Sequence, residues 1–518
     1  MHLRSSISRS ISKSIFRSVH RATSVPAALM GGVSVPASAF DDVWGWWRAD
    51  SVGGSSPSMT FNDLSGNSRT MTQQAGTLTL GTAANGQAKV TGGATAYVTT
   101  SGALKNWPIT VVTYGQRTAA TTQGHFGHVG ATGFDTLWTG YESSDRHMIY
   151  NTNSTINVNA ATDGCWVTRI GWGSRVAIIN GLSQLDVTHA NRAQSADVAC
   201  SIGTQYRGLN FAWQETLVWD RLLSIAELDE VYSYLNTRYG ASIPLSTART
   251  PAKTITLCGE SNPAGRGDRG VANANIPNEY LGPITNANVL HGLTANINWG
   301  FANTQFEQLD NTAAKNGFTG NHMLGENPYS NATSFIGCES ALCKEYLDLH
   351  GGSVYLVKYA VGSSYLAQQG AVWWGHDAGM ASSGRQFHNA MGAWWRSMSL
   401  HHSAGREPDH LGCIWIQGAN DASNLTHANN YQANLAAFLP ALRKEMGYPD
   451  LKLLVARLHA TCPEAYSSTV RAAQEAVIPT LDNVQQIDMD GYETRAGDTV
   501  HYSINGQIAL GQYLATQL

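Results

Sequence analysis

The sequence predicts a two-part protein: an all-β sandwich followed by an α/β unit built on a parallel sheet. Three observations lead there. At 518 residues the chain is longer than a single hydrophobic core supports, since cores rarely grow past about 250–300 residues. From residue 41 to 245, short runs of Thr, Val, Tyr and Trp are separated by Gly, Asn and Ser turns, with almost no helical periodicity. From residue 253 onward, apolar β-favouring runs alternate with amphipathic stretches of helical period.

Bulk composition narrows the class. Charged residues make up only 14%, whereas Gly numbers 52 and Trp 15, a mix that suits a β-rich extracellular or virion-type protein. The formal net charge of -4 leaves no global nucleic-acid footprint. The seven cysteines contain no C-x-x-C, so neither a zinc site nor a redox pair is signalled. Cys165 and Cys200 can bridge or stand as buried thiols. No run of about 18 apolar residues marks a membrane-spanning helix.

Residues 1–40 carry five Lys/Arg and no acid. Leu3, Ile7, Ile11, Ile15 and Val19 recur every fourth residue, placing them along one side of a helix. Ser24 to Ala39 then reads as a linker. Four readings stay open: a transit peptide, a signal peptide ending at Ala37-Ser38-Ala39, a disordered basic arm, and a docking helix that anchors the protein in a larger assembly. The last fits the domains downstream best.

Within 41–245, strands are expected at Ala96 to Thr100, Ile109 to Tyr114, Trp166 to Trp172 and Val176 to Ile179. Asn85-Gly86 and Asn180-Gly181 mark hairpin turns. Trp46-Trp47-Arg48-Ala49-Asp50, then Asn62-Asp63-Leu64-Ser65-Gly66-Asn67, resembles the opening of a concanavalin A-like (laminin G-like) jelly roll. Glu215 to Arg221 resembles that family's last strand, and Ser224 to Tyr239 its terminal helix. Ser224 with Glu227 forms a capping-box pattern, and Gly240 a stop. Asp63 and Asn67 suit either a Ca²⁺ or turn chemistry. Trp46, Trp47 and Trp219 read as core. Residues 246–252 read as a linker, which leaves 253–518 as the second domain.

In that second domain, strands are expected at Thr254 to Leu257, Ser353 to Tyr359, Cys413 to Ile416, Lys452 to Leu458 and Val484 to Asp488. Helices are expected at Glu339 to Leu349, Phe387 to Ser399, Ala433 to Met446, Ser467 to Ile478 and Ser503 to Gln517. Functional loops of such sheets lie at the C-terminal ends of the strands. The first of these ends in Cys258-Gly259-Glu260-Ser261-Asn262, a strand delivering a Ser into a Gly-bearing turn. Ser261 supplies a hydroxyl, and His501 can take its proton near neutral pH. Asp498, three residues before it, can hold the other ring nitrogen. The Ser261 and Gly362 backbone N–H groups and the Asn420 side-chain amide suit a developing oxyanion.

Gly259-Glu260-Ser261-Asn262, Gly362, Gly418-Ala419-Asn420-Asp421 and Asp498-Thr499-Val500-His501 follow the block order of the SGNH (GDSL-like) hydrolases. More narrowly, this half resembles the sialate O-acetylesterase-type carbohydrate esterases. Supporting stretches are Phe335 to Glu339, Lys358 to Gly362, Trp415 to Gly418 and His501 to Gln507. Glu260 departs from the Gln common in that subfamily, and Asn420 follows the broader SGNH pattern. The resemblance implies a three-layer α/β fold and a serine esterase that removes O-acetyl groups from a glycan. No metal or other cofactor is implied. Trp373 and Trp374 are candidates to line a sugar cleft, with core packing as the alternative. Gln417 either orients the Asn420 loop or packs.

A basic N-terminal helix, a jelly roll and a deacetylase in one chain also resemble a phage tail fibre or spike. That resemblance implies a virion location, O-acetylated bacterial surface polysaccharide as partner, tail proteins bound through the N-terminus, and a homo-oligomer such as a trimer. Two other readings are a receptor-binding virion protein without activity and a secreted cellular carbohydrate esterase.

Overall fold

A computed structural model describes residues 37–93, 95–104, 108–117, 123–128, 137–142, 146–151, 154–159, 164–171, 175–184, 198–203, 208–209, 211–265, 267–268, 277–281, 283–291, 305–309, 335–368, 373–375 and 384–518. The basic segment from Leu3 to Val19 lies outside them.

Two antiparallel sheets, of eight and nine strands, make the first unit. The strand Phe211–Trp219 pairs along its length with Ile109–Arg117, and on its other side Gly45–Arg48 joins it with Trp46 opposite Leu217. Successive side chains of a strand point to opposite faces. Trp47 and Val218 therefore enter a core between the two sheets, with Phe61, Met71, Val98, Phe126 and Trp213. Trp46, Leu217 and Trp219 face the other way, into a second core that continues into the α/β unit. This strand is covered on both faces, and all nine of its residues are buried. The Asn180-Gly181 turn has φ of 49° and 75°, the left-handed pair that a tight hairpin needs.

The helix Ile225–Tyr239 begins with the expected capping box of Ser224 and Glu227 and stops at Gly240, whose φ is 63°. A buried carboxylate joins helix to sheet. Glu215 accepts hydrogen bonds from the Trp46 indole, from Tyr234 Oη at 3.0 Å and from Tyr239 Oη at 2.6 Å. Asp63 spends its oxygens on the N–H groups of Trp46, Ser65 and Arg69, and Asn67 donates to the Val43 and Trp44 carbonyls, so both serve the turn. Cys165 and Cys200 sit in different cores, and all seven cysteines are free and buried.

The segment read as a linker is part of the folded chain. Ser246–Ala248 forms a short 3₁₀ turn, and the next strand begins at Thr250. Pro251 does not prevent this, because a strand's first residues tolerate a missing N–H.

The second unit is a seven-stranded sheet in the order Glu307–Gln308, Ala287–His291, Val354–Ala360, Thr250–Gly259, Arg406–Ile416, Leu453–Ala456, Val484–Ile487. Every pairing is parallel except that of the short 307–308 edge strand. Ile255, Leu257, Leu356, Ile414 and Leu454 face the helices Glu339–His350 and Ile504–Thr516. Cys258, Val357, Tyr359, Cys413, Trp415 and Val455 face the helices Arg385–Ser403, Leu425–Met446 and Ser467–Val477. The result is three layers, as expected. The 425–446 helix starts before the expected Ala433, because the Asn424 side chain caps it through the Thr426 and His427 N–H groups.

Candidate active site

Three neighbouring strands end at one level. Gly259 is opposite both Ala360 and Ile416, so the loops leaving at residues 260, 361 and 417 converge. Gly259 has φ of 138° and lies so close to the Ile416 carbonyl that a Cβ would collide with it. The chain thereby turns sharply into the short helix Ser261–Gly265, with Ser261 at its first position.

The other two members of the predicted triad arrive from far along the chain. Asp498–Tyr502 is one strand of a two-stranded hairpin with Thr494–Arg495, separate from the large sheet. It sets His501 Nε2 2.9 Å from Ser261 Oγ and His501 Nδ1 2.7 Å from Asp498 Oδ2. Asp498 Oδ1 accepts from the Val500 and His501 N–H groups at 3.1 and 3.3 Å. Partial burial pushes the Asp498 carboxyl up. The hydrogen bond and charge of His501 and the two N–H groups outweigh that and hold it below its ordinary value. Asp498 thus stays ionised at neutral pH and can stabilise a protonated His501.

Uncommitted donors lie on the serine turn and the two loops beside it. Among the described residues no acceptor pairs with the N–H of Ser261 or of Gly362. The Asn420 amide donates one hydrogen to the Ser364 carbonyl at 3.3 Å, which orients it and leaves the other uncommitted. The structure therefore brings Ser261, Gly362, Asn420, Asp498 and His501 to one end of the sheet.

The candidate sugar contacts are buried. Trp374 is completely buried, donates to Ser364 Oγ at 2.8 Å and packs edge-on against Trp415. Trp373 keeps 6% of its surface. Gln417 is buried and donates to Asp421 Oδ2 at 2.7 Å and to the Ser364 carbonyl at 3.2 Å. Trp374 and Gln417 thus offer no face to a sugar; they brace the loops that carry Gly362 and Asn420.

Two acids do work that the motif reading left out. Glu260 accepts from the Gly418 and Ala419 N–H groups at 2.8 and 2.7 Å, and from Asn420 N–H at 3.3 Å. Asp421 accepts from the Leu366 and Ala367 N–H groups at 2.7 and 3.0 Å. One carboxylate ties the serine loop to the Asn420 loop; the other ties the Asn420 loop to the Gly362 loop. Burial pushes the Glu260 carboxyl up to about 7, helped by the nearby Asp421 charge and opposed by the three N–H donors. The only sequence signal was a charged residue directly after a buried strand.

No curated protein matches the chain. Among solved structures, a protein from Arabidopsis thaliana is 19% identical with a TM-score of 0.38, covering 51% of this chain and 97% of its own. A carbohydrate acetylesterase from Xanthomonas citri is 15% identical with a TM-score of 0.38, covering 74% and 70%. A protein named NanS is 12% identical with a TM-score of 0.35, covering 52% and 97%. The family model described as carbohydrate esterase, sialic acid-specific acetylesterase, matches residues 251–518, the whole span from the serine strand to the last helix. The chain belongs to that family of carbohydrate esterases, and it is a carboxylic ester hydrolase.

Proposed function

We propose that the chain removes O-acetyl groups from a glycan, with Ser261 as nucleophile, His501 as base and Asp498 as its orienting partner. One observation carries this reading: the unbroken hydrogen-bond line from Ser261 Oγ through the His501 ring to Asp498, at 2.9 and 2.7 Å. Ser261 Oγ attacks the acetyl carbonyl carbon while His501 Nε2 takes the hydroxyl proton. The carbonyl oxygen becomes an oxyanion facing the Ser261 and Gly362 N–H groups and the Asn420 amide. Each such donor contributes about 100–1000-fold in rate. Collapse breaks the ester bond, and the departing sugar oxygen takes the proton back from His501. Water, deprotonated by His501, then releases acetate from Ser261.

The test is p-nitrophenyl acetate hydrolysis, followed by acetate release from O-acetylated polysaccharides. Ser261→Ala should lose activity by about a million-fold, to near background. A wild-type chain inert between pH 6 and 9 would sink the reading, since a histidine base works in that range.

We read the first unit as a concanavalin A-like jelly roll and the whole chain as part of a phage tail fibre or spike. There the esterase would strip bacterial surface polysaccharide while residues 1–40 dock to other tail proteins. The order of a basic arm, a double-sheet unit and an esterase supports this. The rival, a secreted esterase cleaved after Ala39, meets a specific obstacle. Ala39 is completely buried, its N–H donates to Glu230 at 3.0 Å, and its carbonyl accepts from the Trp219 indole at 2.7 Å. Cleavage there would cut through a packed part of the fold. The mass of the mature N-terminus separates the two readings: an intact residue 1 supports the tail protein, and a chain starting at Phe40 supports secretion.

A further inference from the structure

We infer that Asn262 is a positioning residue: its side-chain amide sets the distance between Ser261 and His501. The inference rests on the catalytic reading above.

The two groups come from parts of the chain 240 residues apart, and among the described residues no sheet joins them. Ser261 follows a central strand, whereas His501 lies on the 498–502 strand, which among the described residues pairs only with Thr494–Arg495. Something must hold that hairpin in register with the serine turn to a few tenths of an ångström.

Asn262 spans the gap. Its Nδ2 donates to the Val500 carbonyl at 3.0 Å, and its Oδ1 accepts from the Tyr502 N–H at 3.1 Å. These are the residues on either side of His501. In an extended strand, the C=O of one residue and the N–H of the second residue after it point to the same edge. A neighbouring strand would normally satisfy both. Here one primary amide does so, donating with one atom and accepting with the other. Asn262 directly follows Ser261 and is 8% exposed, so the clasp is short, dry and rigid. Gln507, fully buried in the helix that follows the hairpin, donates to the Asn262 carbonyl at 3.3 Å and closes the arrangement from behind.

The chemistry explains the residue type. An ionised Asp could accept from Tyr502 but would set a bare oxygen against the Val500 carbonyl. Ala can do neither. The His501–Asp498 bond lies within the hairpin and does not depend on Asn262. Losing the clasp should therefore separate serine from base while leaving base and acid together.

That asymmetry is the test, on the full chain. Three quantities are measured for Asn262→Ala and Asn262→Asp: p-nitrophenyl acetate kinetics, the rate of Ser261 labelling by a fluorophosphonate, and the downfield proton resonance of the His501–Asp498 hydrogen bond. Asn262→Ala should lower kcat and the labelling rate by about 100-fold or more, as an ångström of misplacement does. KM should stay within about two-fold and the downfield resonance should persist. Asn262→Asp keeps the Tyr502 bond but sets an oxygen against the Val500 carbonyl, so it too should fall well below wild type, and it carries the test if the Ala variant does not fold. Labelling within about three-fold of wild type in both variants would overturn the inference. So would loss of the downfield resonance in step with activity, because the residue would then support the hairpin and not its register. A wild-type Ser261 that resists the reagent, or an active Ser261→Ala, would instead sink the catalytic reading, which keeps the two failures apart.

Discussion

A buried carboxylate, Glu260, stands directly before the proposed nucleophile Ser261. Glu260 is 3% exposed, and its folded value of about 7 stands above the ordinary 4.5. A raised carboxylate binds more protons folded than unfolded, so its contribution to stability declines as pH rises from about 4.5 to about 7. Gln keeps an acceptor for Gly418 and Ala419 but cannot ionise. Glu260→Gln should therefore gain on the wild type across that interval by up to roughly 3 kcal/mol, then level off. Denaturant unfolding of both proteins at several pH values checks this; a difference that does not change with pH would refute it. At this scale Ser261, Asp498 and His501 were legible in the sequence, because their residue types, order and position after strands are chemically diagnostic. The partners of Glu260, Asp421 and Asn262 were not, since each depends on which backbone N–H or C=O the fold brings within hydrogen-bond reach. For Trp374 the core-packing alternative holds and for Gln417 the loop-orienting one, a choice the sequence left open because a motif does not say which way a side chain points.

Among the elements, the long helix Arg385–Ser403 carries a second pH response. His401 is fully buried near its C-terminal end, with Arg406 donating to its Nδ1 at 3.3 Å. Burial, with the Arg406 and His402 charges adding, pulls its value down to about 3. The unfolded chain takes up a proton near pH 6.5 that the folded chain refuses until about 3, so stability falls as pH drops through that window. The slope from this one group is about 1.4 kcal/mol per pH unit. His401→Gln should remove it, whatever else the substitution costs, as seen by urea midpoints between pH 6.5 and 4. Most elements of the α/β unit were legible because buried strands alternate with amphipathic helices. The strand Ala287–His291 was not: five residues with Asn and His among them carry too little pattern, and the parallel neighbour Val354–Ala360 makes them a strand. The hairpin at 494–502 escaped for a related reason, since its polar sequence gives no alternation to read.

At the scale of the molecule, the two units share one hydrophobic core. Val112, Tyr114, Val167 and Trp219 of the first unit lie in the same cluster as Trp394, Trp395, Leu439 and Leu442 of the second. At its centre Arg169, fully buried, donates to the carbonyls of Leu223 at 3.1 Å, Glu445 at 2.8 Å and Lys444, and its guanidinium lies over the Trp395 ring. The last turn of the Leu425–Met446 helix is thus capped in part by a side chain from a different unit, where the helix dipole and the spare lone pairs of the end carbonyls favour a cation. Burial lowers the guanidinium to about 10, with Glu445 and Glu227 opposing, so the charge survives at neutral pH. Arg169→Met leaves the Leu223 carbonyl buried without its donor, while the Lys444 and Glu445 carbonyls keep only the Gly447 N–H and the Trp395 indole, and it should cost about 1–3 kcal/mol. Calorimetry should show one cooperative transition in the wild type and an earlier or split one in the variant. An unchanged profile would mean that the units fold independently. The sequence pointed to two separate domains with a linker, because their patterns differ; that Arg169 reaches the far helix depends on packing that no local pattern encodes.

The hairpin that carries the base also places a condition in time on the enzyme. Ser261, Gly362 and Asn420 all lie on strand ends before residue 421, yet under the proposed mechanism none of them is useful without a segment synthesised much later. A ribosome-bound chain, or one clipped ahead of Asp498, would then hold the proposed oxyanion donors around an inert hydroxyl. Hydrolytic competence is then a signal that the C-terminal hairpin and the Ile504–Thr516 helix have seated against Glu339–His350, and activity measured during synthesis would report the completion of folding.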